Sequence, residues 1–156
     1  MARLSIVVLA LVLAGCGGPP PAAPASSGAG GLQEAVAREG DVTMRASVMQ
    51  TSTLDPSVAR QYGIERSDGL AMLLVSVRRG AEARETGVPA RVVAKASDLR
   101  GRAQLIEMRE LRSGDLLDYV GTVEIEPPDT VRFDVRITRE DGATSSMQFS
   151  REFFPR

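Results

Sequence analysis

The clearest periodicity in the chain lies over residues 130–140, where Val131, Phe133, Val135 and Ile137 alternate strictly with Arg132, Asp134, Arg136 and Thr138. A two-residue rhythm places every second side chain on one face, so it predicts a strand in a sheet that is apolar on one side and wet on the other. The same rhythm recurs in Val42, Met44, Ala46 and Val48, in Val88, Ala90, Val92, Ala94 and Ala96, and in Leu117, Tyr119, Gly121, Val123 and Ile125. Residues 70–77 are apolar on both faces, which predicts a central strand whose outer side meets another element. Residues 103–111, and residues 146–154 with Met147, Phe149 and Phe153 on one side, complete a set of seven strands.

Turn chemistry punctuates these segments. Glu140-Asp141-Gly142 reads as a hairpin between the last two strands, Arg112-Ser113-Gly114-Asp115 joins the fourth to the fifth, Asp98-Leu99-Arg100-Gly101 precedes the fourth, and Pro127-Pro128-Asp129 separates the fifth from the sixth. One helical element interrupts: Asp55 is suited to the N-cap, Pro56 to the first helical position, residues 57–62 to about two turns, and Gly63 to the left-handed end. The pattern predicts an all-β, mainly antiparallel, immunoglobulin-like β-sandwich of about seven strands, with the short helix packed across one open end. A membrane β-barrel uses the same alternation with the apolar face turned outward. Four Phe, two Tyr and no Trp cannot furnish two aromatic girdles.

The amino-terminal region carries a different signal. Behind Arg3, an apolar run over residues 6–14 leads into Leu13-Ala14-Gly15-Cys16, which resembles the lipobox of bacterial lipoproteins. Nine residues span about 14 Å as a helix, against the roughly 30 Å of a hydrocarbon core, so the run fits a signal segment and not a transmembrane span. Ala14 and Gly15 are small enough for a peptidase groove, and the thiol of Cys16 is the expected lipidation site. Two or three acyl chains would anchor the protein stably, where one would hold it marginally. Gly17, in place of an aspartate, favours the outer membrane over inner-membrane retention. Residues 17–31, GGPPPAAPASSGAGG, offer no large apolar side chain to bury and read as a spacer. The expected organisation is thus a signal peptide over residues 1–15, a lipidated cysteine and flexible linker over residues 16–40, and one β-sandwich domain over residues 41–156.

Composition then removes whole classes of function. Cleavage takes Arg3 from the 19 basic residues and nothing from the 20 acidic ones, leaving a charge near minus two and no broad basic surface for nucleic acid. There is no histidine, and the single cysteine is assigned to lipid, so Ser-His-Asp and Cys-His nucleophile systems, the common zinc sites and a disulfide framework are excluded. No calcium loop, Walker loop or dinucleotide fingerprint appears, so neither a metal nor a cofactor is expected. Asp115 with Asp118, and Glu124 with Glu126, have the residue types of an acid/base pair. Glu124 and Glu126 at strand spacing on one wet face, however, read as solubilising charge.

Candidate binding residues are accordingly few. Tyr62, Glu65 and Arg66 flank the short helix, where polar loop residues on a rigid sheet are placed to bind, although Tyr62 and Arg66 also have a plain structural use. In residues 107–112 the alternation puts Glu107, Arg109 and Leu111 on one face and Met108, Glu110 and Arg112 on the other. Such charges are expected to pair across to a neighbouring strand, with a ligand clamp at Arg109 and Glu110 as the other option.

The stretch LDPSVARQYGIERSDGLAMLLVSV, together with RELRSGDLLDYVG and SMQFSREFF, resembles the bacterial family catalogued as domain of unknown function 4426 over nearly all of residues 41–154. The resemblance rests on Val58-Ala59, Tyr62-Gly63-Ile64, Arg66-Ser67, Arg109-Glu110, Gln148-Phe149 and Glu152-Phe153. It implies an exported, mostly β domain with no agreed activity. Members often carry a plain signal peptide, where this chain shows a lipobox. The expected function is therefore a noncatalytic envelope lipoprotein, held to the bilayer through Cys16, that binds an envelope protein or supports an assembly. The competing expectation is a periplasmic small-ligand-binding or enzymatic domain with its site near Tyr62 and Arg66.

Overall fold

The computed structural model describes residues 34–81 and 84–156, so the signal peptide, Cys16 and the linker up to residue 33 lie outside the described residues. The chain forms β1 (Glu34–Glu39), β2 (Val42–Gln50), a turn of 3-10 helix (Thr51–Thr53), α1 (Pro56–Tyr62), β3 (Leu70–Arg79), β4 (Thr86–Gly87), β5 (Ala90–Ser97), β6 (Ala103–Ile106), β7 (Arg109–Ser113), β8 (Leu116–Glu124), β9 (Asp129–Arg139) and β10 (Thr144–Phe153). The first sheet runs β1-β2-β3-β8-β7, with β4 on the end of β3, and the second runs β10-β9-β5-β6. Every pairing is antiparallel. The all-β sandwich expected from the alternation is the fold observed.

Ten strands replace the seven expected, for three local reasons. β1 pairs with β2 around the Gly40-Asp41 turn, with Gly40 at φ +60°, so residues 34–39 add a strand to the first sheet ahead of residue 41. Its inward residues are only Ala35 and Ala37 while Val36 faces out, so the alternation was too faint to mark a strand. The segment expected over 88–96 starts at Ala90, because Pro89 has no N–H to pair and the chain changes sheets there after β4. The segment expected over 103–111 is two strands: β6 pairs with β5 in the second sheet, and β7 pairs with β8 in the first.

The core lies between the sheets. Met44, Leu73, Val75, Phe133 and Ile137 are fully buried, each from the inward face of its strand. Phe133 and Phe149 stack at 5.5 Å between ring centroids. Tyr119 reaches across from β8, and its hydroxyl accepts the N–H of Ala90 at 2.7 Å. Burial raises the pKa of that phenol, so it stays a neutral link between the sheets.

The helix signals are realised in full: an Asp55 Oδ1 accepts the N–H of Ser57 at 2.7 Å, Pro56 opens the helix, and Gly63 ends it at φ +58°. Its position corrects the expectation. α1 does not cross an open end but packs on the outer face of the first sheet, where Leu54, Ala59 and Ile64 meet Met72 of β3 and Val120 of β8. This second apolar cluster explains why β3 is apolar on both faces. Below it, the Arg45 guanidinium makes a bidentate pair with Glu85 at 2.9 and 3.2 Å, and Arg78 pairs with Asp118.

Candidate functional site

Where the chain leaves β6 for β7, at Glu107-Met108, it passes close over β8. Gly121 permits this, since a Cβ there would lie 2.6 Å from Ile106 Cγ2, 2.7 Å from the Glu107 carbonyl oxygen and 2.9 Å from Met108 Sδ. Beside the crossing lies a depression of about 560 Å³, bounded by Gly63, Ile64 and Glu65 after the helix, by Leu105 and Glu107 before the crossing, and by Arg109 and Thr122. Leu70 and Val120 contribute apolar side chains to its lining, and Glu65, Glu107 and Arg109 contribute charges of both signs.

The predicted site residues are distributed unevenly around it. Glu65 and Arg109 face the same depression. Tyr62 instead packs into the apolar cluster beneath the helix, and Arg66 donates from Nη2 to the Ser52 carbonyl at 2.7 Å, which fastens the loop after α1 to the 3-10 turn. Glu110 lies opposite the inward-facing Tyr119, whereas Arg109 lies opposite Val120 on the other face, so the two are not parts of one clamp. Glu110 pairs with Arg112 of its own strand at 2.6 Å, and not across to a neighbour as expected.

A second cluster was missed from sequence. At the end of the sandwich near the β5–β6 turn, Arg102 donates from Nε to Asp98 at 2.6 Å and bidentately to Glu126 at 3.1 Å. Asp98 also accepts the N–H groups of Arg100 and Arg102, at 2.9 and 2.8 Å. The Arg102 guanidinium holds both carboxyls below the ordinary carboxylate range, and they in turn raise its own pKa. Glu126 lies beyond the end of β8, so its reading as one of two strand-spaced solubilising acids is corrected: it is one half of an ion pair. The Asp98-to-Gly101 turn was legible, but a partner 24 residues away leaves no local signature. Next to this cluster Leu99 and Phe154 are exposed, at 81% and 63%, around a shallow cleft of about 370 Å³.

Among the described residues, no three or more His, Cys, Asp or Glu side chains are placed to hold a metal ion, and no helix is long and apolar enough to cross a membrane. The family model for the domain of unknown function DUF4426 matches residues 36–156. The chain belongs to the DUF4426 family. A DUF4426 family protein from Pseudomonas aeruginosa PAO1 has the same fold, with a TM-score of 0.66 and 25% identity over 79% of this chain and 96% of that one. A copper-bound variant of FetP from uropathogenic Escherichia coli strain F11 is similar in fold alone, with a TM-score of 0.50 and 10% identity over 76% of this chain and 93% of that one. No curated protein matches the sequence. The DUF4426 domain includes β1 from Val36 onward, in agreement with a domain that begins before residue 41.

Proposed function

We propose that this DUF4426 chain is a noncatalytic lipoprotein of the bacterial cell envelope, anchored through acylated Cys16 with its β-sandwich in the periplasm, and that the sandwich binds another envelope protein. The outer membrane is the favoured bilayer, on the strength of Gly17. The observation that carries the reading is the sequence Leu13-Ala14-Gly15-Cys16 followed by a spacer with four prolines and no large apolar side chain. β1, the first described strand, is an edge strand of the first sheet. A spacer of that composition reaches between roughly 20 Å as a coil and about 45 Å as polyproline II, enough to carry the domain clear of the headgroups. The absence of histidine from the whole sequence supports the noncatalytic part of the proposal.

Metabolic labelling with a radioactive fatty acid tests the anchor. The wild-type protein should take up label and fractionate with membranes, and Cys16→Ser should do neither. An intact Met1 with no fatty chain in the mass spectrum overturns the proposal. For the binding role, in-cell crosslinking should recover a defined envelope protein with the wild type, and recovery of nothing above background counts against it.

A further inference from the structure

β8 is paired with β3 from Asp118 to Glu124, but its ladder with β7 ends at the Arg109–Val120 rung. In an antiparallel strand the N–H and C=O of successive residues point to opposite sides. Ile125 N–H donates to the Gly69 carbonyl at 2.9 Å, at the start of β3, so the odd-numbered residues of β8 address β3 and the even-numbered ones address the β7 side. The Glu124 carbonyl agrees, since Gln104 Nε2 donates to it from the other direction at 3.1 Å. Thr122 N–H and C=O and Glu124 N–H therefore point to where β7 would run had it begun before Arg109, and among the described residues no strand pairs with them there. That position is the depression bounded by Glu65, Glu107, Arg109 and Thr122.

The geometry points to strand addition at this edge: an extended segment of a partner protein, basic at the positions that face the depression, pairs with Thr122 and Glu124. The inference rests on the protein-binding reading above and names the place and chemistry of the contact. Charge selects the occupant. Glu65 and Glu107 of the depression, and Glu124 at the next outward position of β8, are exposed and make no ion pair among the described residues, while Arg109 is the one cation among the residues that bound the depression. A second copy of this edge would set Glu against Glu. The chain's own spacer is uncharged, and its prolines lack the N–H groups that strand pairing requires.

The test uses the full-length acylated protein in detergent micelles and three fluorescent peptides: acetyl-Lys-Val-Lys-Thr-Lys-Val-amide, its Glu-for-Lys counterpart, and the Lys peptide N-methylated along one edge. The Lys peptide should bind about tenfold or more tightly than the N-methylated control, the size expected from two backbone hydrogen bonds, and more tightly than the Glu peptide, which keeps those bonds but reverses the charge. It alone should slow amide exchange at Thr122 and Glu124. Equal binding of the N-methylated peptide, or unchanged exchange at Thr122, overturns the inference. Thr122→Pro removes the outward N–H without touching a bond to β3 and should abolish the preference. Should that variant not fold, Glu65→Lys with Glu124→Lys should reverse it in favour of the Glu peptide, and a retained Lys preference refutes the site. Recovery of a crosslinked envelope partner alongside failure of the Lys peptide overturns this edge while leaving the binding reading standing. Peptide binding with no crosslinked partner strikes the binding reading instead.

Discussion

Gly121→Ala probes the crossing of β8 by the segment between β6 and β7 with a single methyl group. Carbon atoms in contact settle about 3.5 to 4.0 Å apart, so a Cβ 2.6 Å from Ile106 Cγ2 and 2.7 Å from the Glu107 carbonyl oxygen demands a retreat of close to 1 Å. Met108 Sδ, at 2.9 Å, is the end of a flexible side chain and swings away. Ile106 is buried between the sheets, and the Glu107 carbonyl belongs to the backbone of the crossing itself, so neither yields cheaply. Overpacking of this kind costs about 1 to 3 kcal/mol. Gly121 has no positive φ, so alanine also removes unfolded-state freedom, returning about 0.4 to 1 kcal/mol. The net is a loss of about 1 to 2 kcal/mol, which for a domain of this size lowers the Tm by about 4 to 8 °C. Gly69→Ala is the control, because its Cβ would meet Ser67 Oγ at 3.6 Å and the Ile125 carbonyl at 3.7 Å, ordinary contacts. Both variants are melted by circular dichroism beside the wild type. A Gly121→Ala protein as stable as Gly69→Ala refutes the close crossing.

Phe133→Ala should cost about 3 to 5 kcal/mol in urea unfolding, because the ring is fully buried and its stacking partner Phe149 loses contact with it. Met72→Ala, at the centre of the outer cluster, should cost about 2 to 5 kcal/mol and raise amide exchange in α1 more than in β9, since Met72 lies under the helix and outside the main core. Asp98 and Glu126 are depressed by Arg102, so their contribution is fully present above the unfolded carboxylate range near about pH 4 and disappears as pH falls through their lowered values. With no histidine in the chain, the Tm should be level between about pH 6 and 8 and decline only in acid. The Tm gap between wild type and Arg102→Ala should close as the pH is taken below that range, and a gap that persists in acid contradicts the assignment.

What the sequence disclosed was whatever a strand or a turn writes locally. β9 carries large apolar side chains at four alternate positions, and the helix is signed by Asp55, Pro56 and Gly63, so both were legible. β1 was not, because alanines at 35 and 37 bury too little surface to stand out from the spacer before them. The crossing at Glu107-Met108 was hidden for a different reason: the alternation continues through the segment as if it were one strand, and only the missing side chain at Gly121, on another strand, betrays the close approach. The same holds for the site. Glu65 and Arg109 came together through tertiary packing, while Tyr62 and Arg66 were consumed by the local structure that makes their segment recognisable.

One topological event accounts for both the most constrained and the most open feature of the domain. When the chain passes from the second sheet to the first between β6 and β7 it must pass β8 at backbone distance, which is why position 121 tolerates only glycine without displacement of its neighbours. Because the chain joins the first sheet only at Arg109, no strand among the described residues pairs with β8 on that side beyond Val120, and Thr122 and Glu124 face an unfilled place in the sheet. Exposed edges invite indiscriminate pairing unless they are short, charged or covered. Here β7 is five residues long with Arg109, Glu110 and Arg112 on it, β6 is four residues long, and the open stretch of β8 offers three backbone groups ringed by carboxylates. An edge that short cannot template a growing sheet, and its charge repels a copy of itself. What it retains is the capacity to accept one short strand of opposite charge, the pairing proposed above.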